Sequence, residues 1–305
     1  MRSREVRAGP PSIVSAPGTL FVVATPIGNR GDLSARAREQ LAGADLIAAE
    51  DTRHTGTFLA QLGISRPLLS LHEHNEAERI PEIIARLQGG ASVALVSDAG
   101  TPLVSDPGYR LVAAVAAAGF GVVPIPGACA AITALSAAGL PTDRFVFEGF
   151  LPARGPKRRA RLALLLAESR TLVFYEAPHR LAEVLEDLAA AFGEARRAVV
   201  ARELTKLHET IYRDSLGALA RAAADDENMT RGEAVLVVAG AEPAAAQADS
   251  ANALVDRMLR ALLPALPLSR AVDIVAEIAA QRRNAVYDRA LKLKSGTTDG
   301  GDGTA

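Results

Sequence analysis

Tryptophan is missing from this sequence altogether, aromatic residues make up only 4% of it, and cysteine occurs once, at Cys129. A lone cysteine excludes a disulfide framework and a thiolate zinc site, and it suits a reducing compartment. With so few rings among 49% hydrophobic residues, alanine and valine must fill most of the interior. Neither sign of charge dominates. At a net charge of −1 no global field draws in nucleic acid, so an RNA partner has to be recognised by local patches. No apolar run approaches the ~20 residues needed to cross a bilayer, and the stretch 112–118 is stopped by Gly119. Residues 1–17 hold three arginines but no apolar core of signal-peptide length, which predicts a disordered leader. Residues 295–305, rich in Gly, Thr and Asp, predict a disordered tail. These absences predict a soluble, cytoplasmic protein.

What is present is a regular alternation. Apolar strand-like runs at 19–25, 46–50, 67–71, 93–98 and 122–126 are separated by helical patterns at 33–41, 55–62, 76–87 and 109–118. That spacing predicts parallel βαβ units. A helix over 127–140 follows, and then strands at 144–151, 171–176, 198–204, 210–213 and 234–239. Several of these are joined by short connections, so an antiparallel or mixed sheet is expected. The predicted class is α/β, with an N-terminal domain over 18–127 and a second α/β domain over 128–240. An Ala-rich linker at 241–250 leads to a small helical domain over 251–294.

Chemistry concentrates at strand ends. The segment SDAGTPLVSDPG (97–108) follows the run 93–96 and reads as a binding loop. Gly100 and Gly108 allow close backbone approach, Pro102 and Pro107 fix the turn, and Asp98 sits where open α/β sheets place ligands. A second Gly-rich loop, 25–32, contains neither G-x-G-x-x-G nor the P-loop pattern, so dinucleotide and P-loop readings lose their support. It reads equally as a βα turn with Asp32 or Ser34 as N-cap. At 50–54, Glu50, Asp51, Arg53 and His54 either line the crevice of Asp98 or cap and bridge a helix. His72 and His74 point the same way along a strand without a third ligand, so no metal is expected. Cys129 has no base nearby in sequence and reads as a small buried thiol. Glu176, His179 and Arg180, and then Arg202, Glu203, Lys206 and Glu209, again follow apolar runs. Two basic stretches, 154–170 and 257–294, fit contacts to an anionic polymer.

Six segments in this order resemble the tetrapyrrole-methylase superfamily, S-adenosylmethionine enzymes without the usual Rossmann glycine fingerprint. They are ATPIGNRGDLS (24–34), AAEDTRHT (48–55), SDAGTPLVSDPG (97–108), PIPGACAAITALSAAGL (124–140), LVFYEAPHRL (172–181) and ARELTKLHET (201–210). The closest branch 2′-O-methylates a cytidine of bacterial 16S rRNA at the decoding centre, and its small C-terminal helical domain is similar to 251–294. The tetrapyrrole enzymes open with G-x-G-P-G-D where this chain has Thr-Pro-Ile-Gly-Asn, which turns the resemblance towards the rRNA branch.

The resemblance implies two α/β domains with S-adenosylmethionine in the cleft between them, no metal, and a homodimer. It places the donor against Pro26, Ile27, Gly28, Asp98, Gly100, Thr101, Leu103, Ala128, Cys129, Ala130, Tyr175, Ala177 and Pro178. Strand-end placement nominates Asp51 or Glu50 as base or orienter, Lys206 and Arg53 for charge and phosphate positioning, and Glu203 and His179 behind them. Arg154, Lys157, Arg158, Arg159 and Arg161 are the expected RNA contacts. The rival expectations are a tetrapyrrole methyltransferase and a non-catalytic RNA-binding ribosome-assembly factor.

Overall fold

The computed structural model describes residues 18–226, 228–241 and 243–295. The expected leader 1–17 and the tail beyond 295 lie outside the described residues. In the first domain β1 (Thr19–Val23), β2 (Leu46–Ala49), β3 (Leu68–Ser70), β4 (Val93–Val96) and β5 (Gly121–Ile125) alternate with α1 (Ala35–Gly43), α2 (Thr52–Gln61), α3 (Glu76–Gln88) and α4 (Tyr109–Ala117). The sheet order is β3-β2-β4-β1-β5, and every pairing is parallel.

Sequences such as TLFVV and VALV suit this sheet because it is covered on both faces. Phe21, Val23, Ile47 and Ala94 face one apolar cluster, while Leu20, Leu46, Ala48 and Leu95 face another. Since β2, β4, β1 and β5 are neighbours and parallel, the loops that follow them emerge side by side along one edge. This is the edge where ligands bind in open α/β sheets.

The connecting helix α5 (Ala130–Ala138) belongs by its packing to the second sheet. Ala131, Ala134 and Ala138 lie against Val173, Val199, Val235 and Val237, together with Ile27 from the first domain. The second domain continues with β6 (Phe145–Phe150), α6 (Gly155–Leu165), β7 (Thr171–Glu176), α7 (Leu181–Phe192), β8 (Arg197–Arg202), β9 (Thr210–Ser215), α8 (Leu216–Asp225) and β10 (Ala234–Val238). Its order is β6-β7-β10-β8-β9, mixed as expected: β6 and β7 run parallel and the other pairs antiparallel. Leu172, Phe174, Val200 and Leu236 build the outer core with α7 and α8.

Three helices close the described chain: α9 (Pro243–Leu262), α10 (Leu268–Ile278) and α11 (Arg283–Ser295). They share their own core of Val255, Leu259, Val272, Val275 and Val286, and Arg289 bonds Asp256 at 2.7 and 2.9 Å. The linker expected at 241–250 is instead helical from Pro243 onward. Alanine is the strongest helix former, and proline at the first turn loses no hydrogen bond, so a composition read as a spacer propagates the helix. No helix among the described residues is long and apolar enough to cross a membrane.

Candidate functional site

The loops after β1, β2, β4 and β5 meet segments at the ends of β6, β7 and β8 and at the start of β10 in a cleft. The loops after β1 and β4 are tied by a reciprocal backbone pair, Thr25 N to Gly100 O at 2.8 Å and Gly100 N to Thr25 O at 3.1 Å. Gly100 has φ +85°, and the Thr101 hydroxyl donates to Ala128 O at 2.9 Å, joining the loop after β4 to the one after β5. Across the cleft, the Asn29 amide donates to Thr205 Oγ1 at 3.1 Å. A Cβ at Gly28 would stand 2.5 Å from Lys206 Cγ. Glycine is therefore required there by the close approach of the second domain.

A cavity of about 450 Å³ lies between the domains. The first domain contributes Ile27, Glu50, Asp98, Gly100, Thr101, Ser105 and Asp106 to its wall, and the second contributes Cys129, Phe150, Tyr175, Glu176, Ala177, Pro178 and Leu204. Phe147 and Phe150 meet the Tyr175 ring edge-on at 5.0 and 5.6 Å, and the Tyr175 hydroxyl accepts from the Ala131 amide at 3.2 Å. Burial pushes that phenol well above its ordinary range.

The cavity is acidic. Burial and then the charge of Asp98 raise the Glu50 carboxyl above the usual range. Burial, followed by the charge of Glu50, pushes Asp106 up to about 6. Glu176 is also raised by burial; its Oε1 accepts from the Ala177 amide at 2.8 Å, while its buried Oε2 has no hydrogen-bond partner. Such a wall is complementary to a cation.

A second cavity of about 400 Å³ shares Ile27, Asp98, Ala99 and Glu233 with the first. Pro26, Gly28, Arg30, His54, Phe58 and Lys206 complete much of its lining, so of the loop expected against the donor only Ile27 reaches the first cavity, while Pro26 and Gly28 face the second. Lys206 Nζ bonds Glu203 Oε1 at 2.9 Å and Glu233 Oε2 at 3.0 Å. Burial pulls its pKa down, but the two carboxylates outweigh burial and hold it above the ordinary value.

The structure sorts the expected residues. Of the strand-end candidates, Glu50 faces the first cavity and Lys206 the second, with Glu203 behind Lys206. Asp51 lines neither: it caps α2, accepting from the amides of Arg53 and His54 at 2.8 and 3.4 Å, and it pairs with the Arg53 side chain at 2.9 Å. The Arg53 bond lowers Asp51 to about 2, which makes it a poor base. Arg53 and His179 are exposed and also line neither cavity. Leu103, expected at the donor, turns its side chain into the core beside Gly108, and Val104 and Ser105 take the wall instead.

In the basic stretch, Arg158 is 0% exposed, bonded to Asp187 at 2.6 Å and Glu183 at 2.5 Å. It holds α6 to α7 and does not reach RNA. Arg161 pairs with Glu148 and Arg159 reaches Asp187 at 3.5 Å, while Arg154 and Lys157 have no ion pair among the described residues. His72 and His74 meet edge-on at 6.0 Å, and among the described residues no group of three or more His, Cys, Asp or Glu is placed to hold a metal.

Asp106, Ser105, Phe150 and Glu233 are wall residues that the sequence reading passed over. For Asp106 a signal existed, the second Asp of the loop 97–108, in its one Asp-Pro pair. Its meeting with Glu50 depends on β2 and β4 being neighbours, which spacing alone does not give.

A family model described as tetrapyrrole (corrin/porphyrin) methylases matches residues 19–220, and one described as the RsmI C-terminal HTH domain matches 247–294. A Pseudomonas aeruginosa protein named ribosomal RNA small subunit methyltransferase I is 54% identical over 276 residues, spanning 90% of this chain and 97% of that protein. Among solved structures, uroporphyrin-III-C-methyltransferase from Thermus thermophilus aligns with TM-score 0.53 at 24% identity, covering 73% of this chain and 94% of that one. A uroporphyrin-III C-methyltransferase structure from the same source, complexed with S-adenyl homocysteine, aligns at TM-score 0.50 and 17% identity, covering 73% and 97%. These structural likenesses speak to the fold.

Proposed function

The chain belongs to the tetrapyrrole (corrin/porphyrin) methylase family, and we propose that it moves a methyl group from S-adenosylmethionine to the 2′-hydroxyl of one cytidine in 16S rRNA. That it is a methyltransferase of small-subunit ribosomal RNA rests on one observation, the likeness at 54% identity along 97% of a relative so named. The finer choice of ribose and cytidine is supported by the segments at 24–34 and 97–108 and by Thr-Pro-Ile-Gly-Asn in place of the tetrapyrrole enzymes' loop. A tetrapyrrole acceptor is not favoured, since the solved tetrapyrrole enzyme named above shares only 24% of its residues. A cytoplasmic homodimer completes the proposal.

The cleft suits a cationic donor, because Glu50, Asp98 and Asp106 converge on it; Glu176 is paired through Oε1 with Arg180 at 3.3 Å, and only its Oε2 lacks a hydrogen bond. When bound, S-adenosylmethionine supplies a methyl carbon already activated by its sulfonium. Asp98, Asp106 and Glu50 would hold its positive charge, and Tyr175, Ala177 and Pro178 would cover it from the second domain. Glu50, whose carboxyl is raised by burial and then by the charge of Asp98, would accept the hydroxyl proton. Lys206, kept cationic by its two carboxylates, contributes charge and not a base.

Incubation with methyl-labelled donor and small subunits from cells lacking this gene is expected to label the ribose of one cytidine, mapped by nuclease digestion and mass spectrometry. Label on a base would overturn the ribose assignment, and donor binding without RNA label would overturn the acceptor.

The pH dependence of donor binding follows from Asp106. Its carboxyl titrates at about 6 instead of 3.8, so it is largely protonated in the donor-free protein below that pH. A cationic donor favours the ionised form and expels the proton, so affinity rises with pH up to about 6 and then levels. Calorimetry is expected to show up to about tenfold weaker binding per pH unit below 6. Asp106→Asn flattens the profile, and the uncharged sulfur of S-adenosylhomocysteine gives a shallower one.

A further inference from the structure

The donor site leaves the second cavity without an assigned occupant. It abuts the first along Asp98 and Ala99, as an acceptor site must if a hydroxyl is to reach the methyl carbon in line. The two cavities differ in charge. Both border Asp98 and Glu233, but the first adds Glu50, Asp106 and Glu176, whereas the second adds Arg30 and His54, with Lys206 already held by Glu203 and Glu233. Arg30 and His54 are exposed, and among the described residues no hydrogen bond or ion pair engages either side chain. Phe58 is half-buried, anchored against the first domain's core while still forming part of the cavity wall. Cations beside an aromatic face are the usual means of holding a phosphate and an unstacked base together.

We propose that this second cavity receives the acceptor nucleotide of the RNA, with its phosphate against Arg30 and His54 and its base against the Phe58 ring. The assignment rests on the RNA-methyltransferase reading and adds where the RNA enters and which residues select it. Arg30 lies on the turn 30–32, outside the apolar clusters, so its replacement leaves the core untouched.

The test compares wild type, Arg30→Glu, Phe58→Leu and a charge control, Arg221→Glu on α8, whose side chain is well exposed. Donor Kd is measured by calorimetry, and KM and kcat with unmethylated small subunits at several salt concentrations. Arg30→Glu is expected to raise KM about tenfold or more and to flatten the salt dependence by about one unit of slope. Phe58→Leu is expected to raise KM about tenfold through lost stacking. Donor Kd stays within about twofold for both, as it must if the second cavity holds no part of the donor. Wild-type KM in both variants overturns the assignment, as does an equal loss in Arg221→Glu. A weakened donor Kd also overturns it, by placing the donor's own carboxylate in this cavity. If wild type itself leaves small-subunit RNA unlabelled, the underlying reading fails and this one with it.

Discussion

Asp98→Asn is expected to weaken S-adenosylmethionine binding by about 10- to 100-fold while leaving the melting temperature almost unchanged. Hydrogen bonds to a charged group are worth about 1.5–3 kcal/mol, and each 1.4 kcal/mol is roughly a factor of ten in Kd. Asp98 borders both cavities, at the end of β4 where the two meet. Its Oδ1 also accepts from the Asp51 amide at 3.1 Å, fastening the loop after β4 to the start of α2. Asparagine keeps that acceptor oxygen and loses only the charge. Alanine loses both, so Asp98→Ala adds a stability loss of about 1 kcal/mol to the binding defect. Calorimetric titration of both variants, alongside thermal unfolding, separates the two roles. An Asp98→Asn protein with wild-type affinity would remove the carboxylate from the donor site.

Arg158→Leu is expected to lower stability by about 3 kcal/mol, read as a lower urea midpoint with an unchanged slope. The guanidinium is fully buried between α6 and α7, and its two carboxylate partners fare differently once it is gone. Glu183, with a side chain 61% exposed, returns to water, whereas that of Asp187, at 13%, is left nearly buried. Arg159 offers Asp187 only a distant contact at 3.5 Å, which keeps the loss at the lower end of the range for a broken buried pair. Adding Asp187→Leu removes the stranded charge and should recover much of the loss. If the single variant unfolds like wild type, the triad is a surface pair in solution. Donor affinity at a temperature where the variant is folded is expected to be unchanged, since neither cavity touches Arg158.

These two residues also mark how far the sequence could be read. Strands were legible because their apolar runs are continuous: the expectation of a strand at 171–176 coincides with β7. Asp98 followed from that logic, since a polar residue ending a buried strand in a parallel sheet has few places to go. Arg158 was misplaced because its surroundings are basic in composition, although the helical period held the correction. Arg158, Leu162 and Leu165 recur on one face of α6, so Arg158 had to share the buried stripe of the two leucines. The start of α2 at Thr52, three residues ahead of the apolar pattern, comes from the Asp51 cap, one of two roles its residue type allowed.

Less was legible in the loops. Leu103 and Ser105 adopt φ of +74° and +67°, and Glu203 and Thr205 +50° and +66°. Side chains rarely accept that conformation, and nothing local in these residues asks for it. At the second pair the Glu203 amide donates to Glu233 O and the Thr205 amide to Glu209 Oε2; at the first, Leu103 packs into the core while Ser105 faces the cavity. Strain of this kind gathers where a backbone must be held for binding, and both pairs lie in loops that form the cleft.

The order of strands in the first sheet has a consequence for how the chain is made. β1 lies between β4 and β5, paired through Leu20 with Val93 and through Thr19 with Gly121, and it does not pair with β2. Of the strands in this sheet, β1 is made before the others and is among the last to find both neighbours. Until β5 is synthesised, a strand of five apolar or Thr residues keeps an open hydrogen-bonding edge. Non-local pairing of this kind folds slowly and exposes such edges meanwhile. Nascent chains halted before Gly121 therefore carry that open edge, and the finished cleft, whose walls need the loops after both β1 and β5, forms later still.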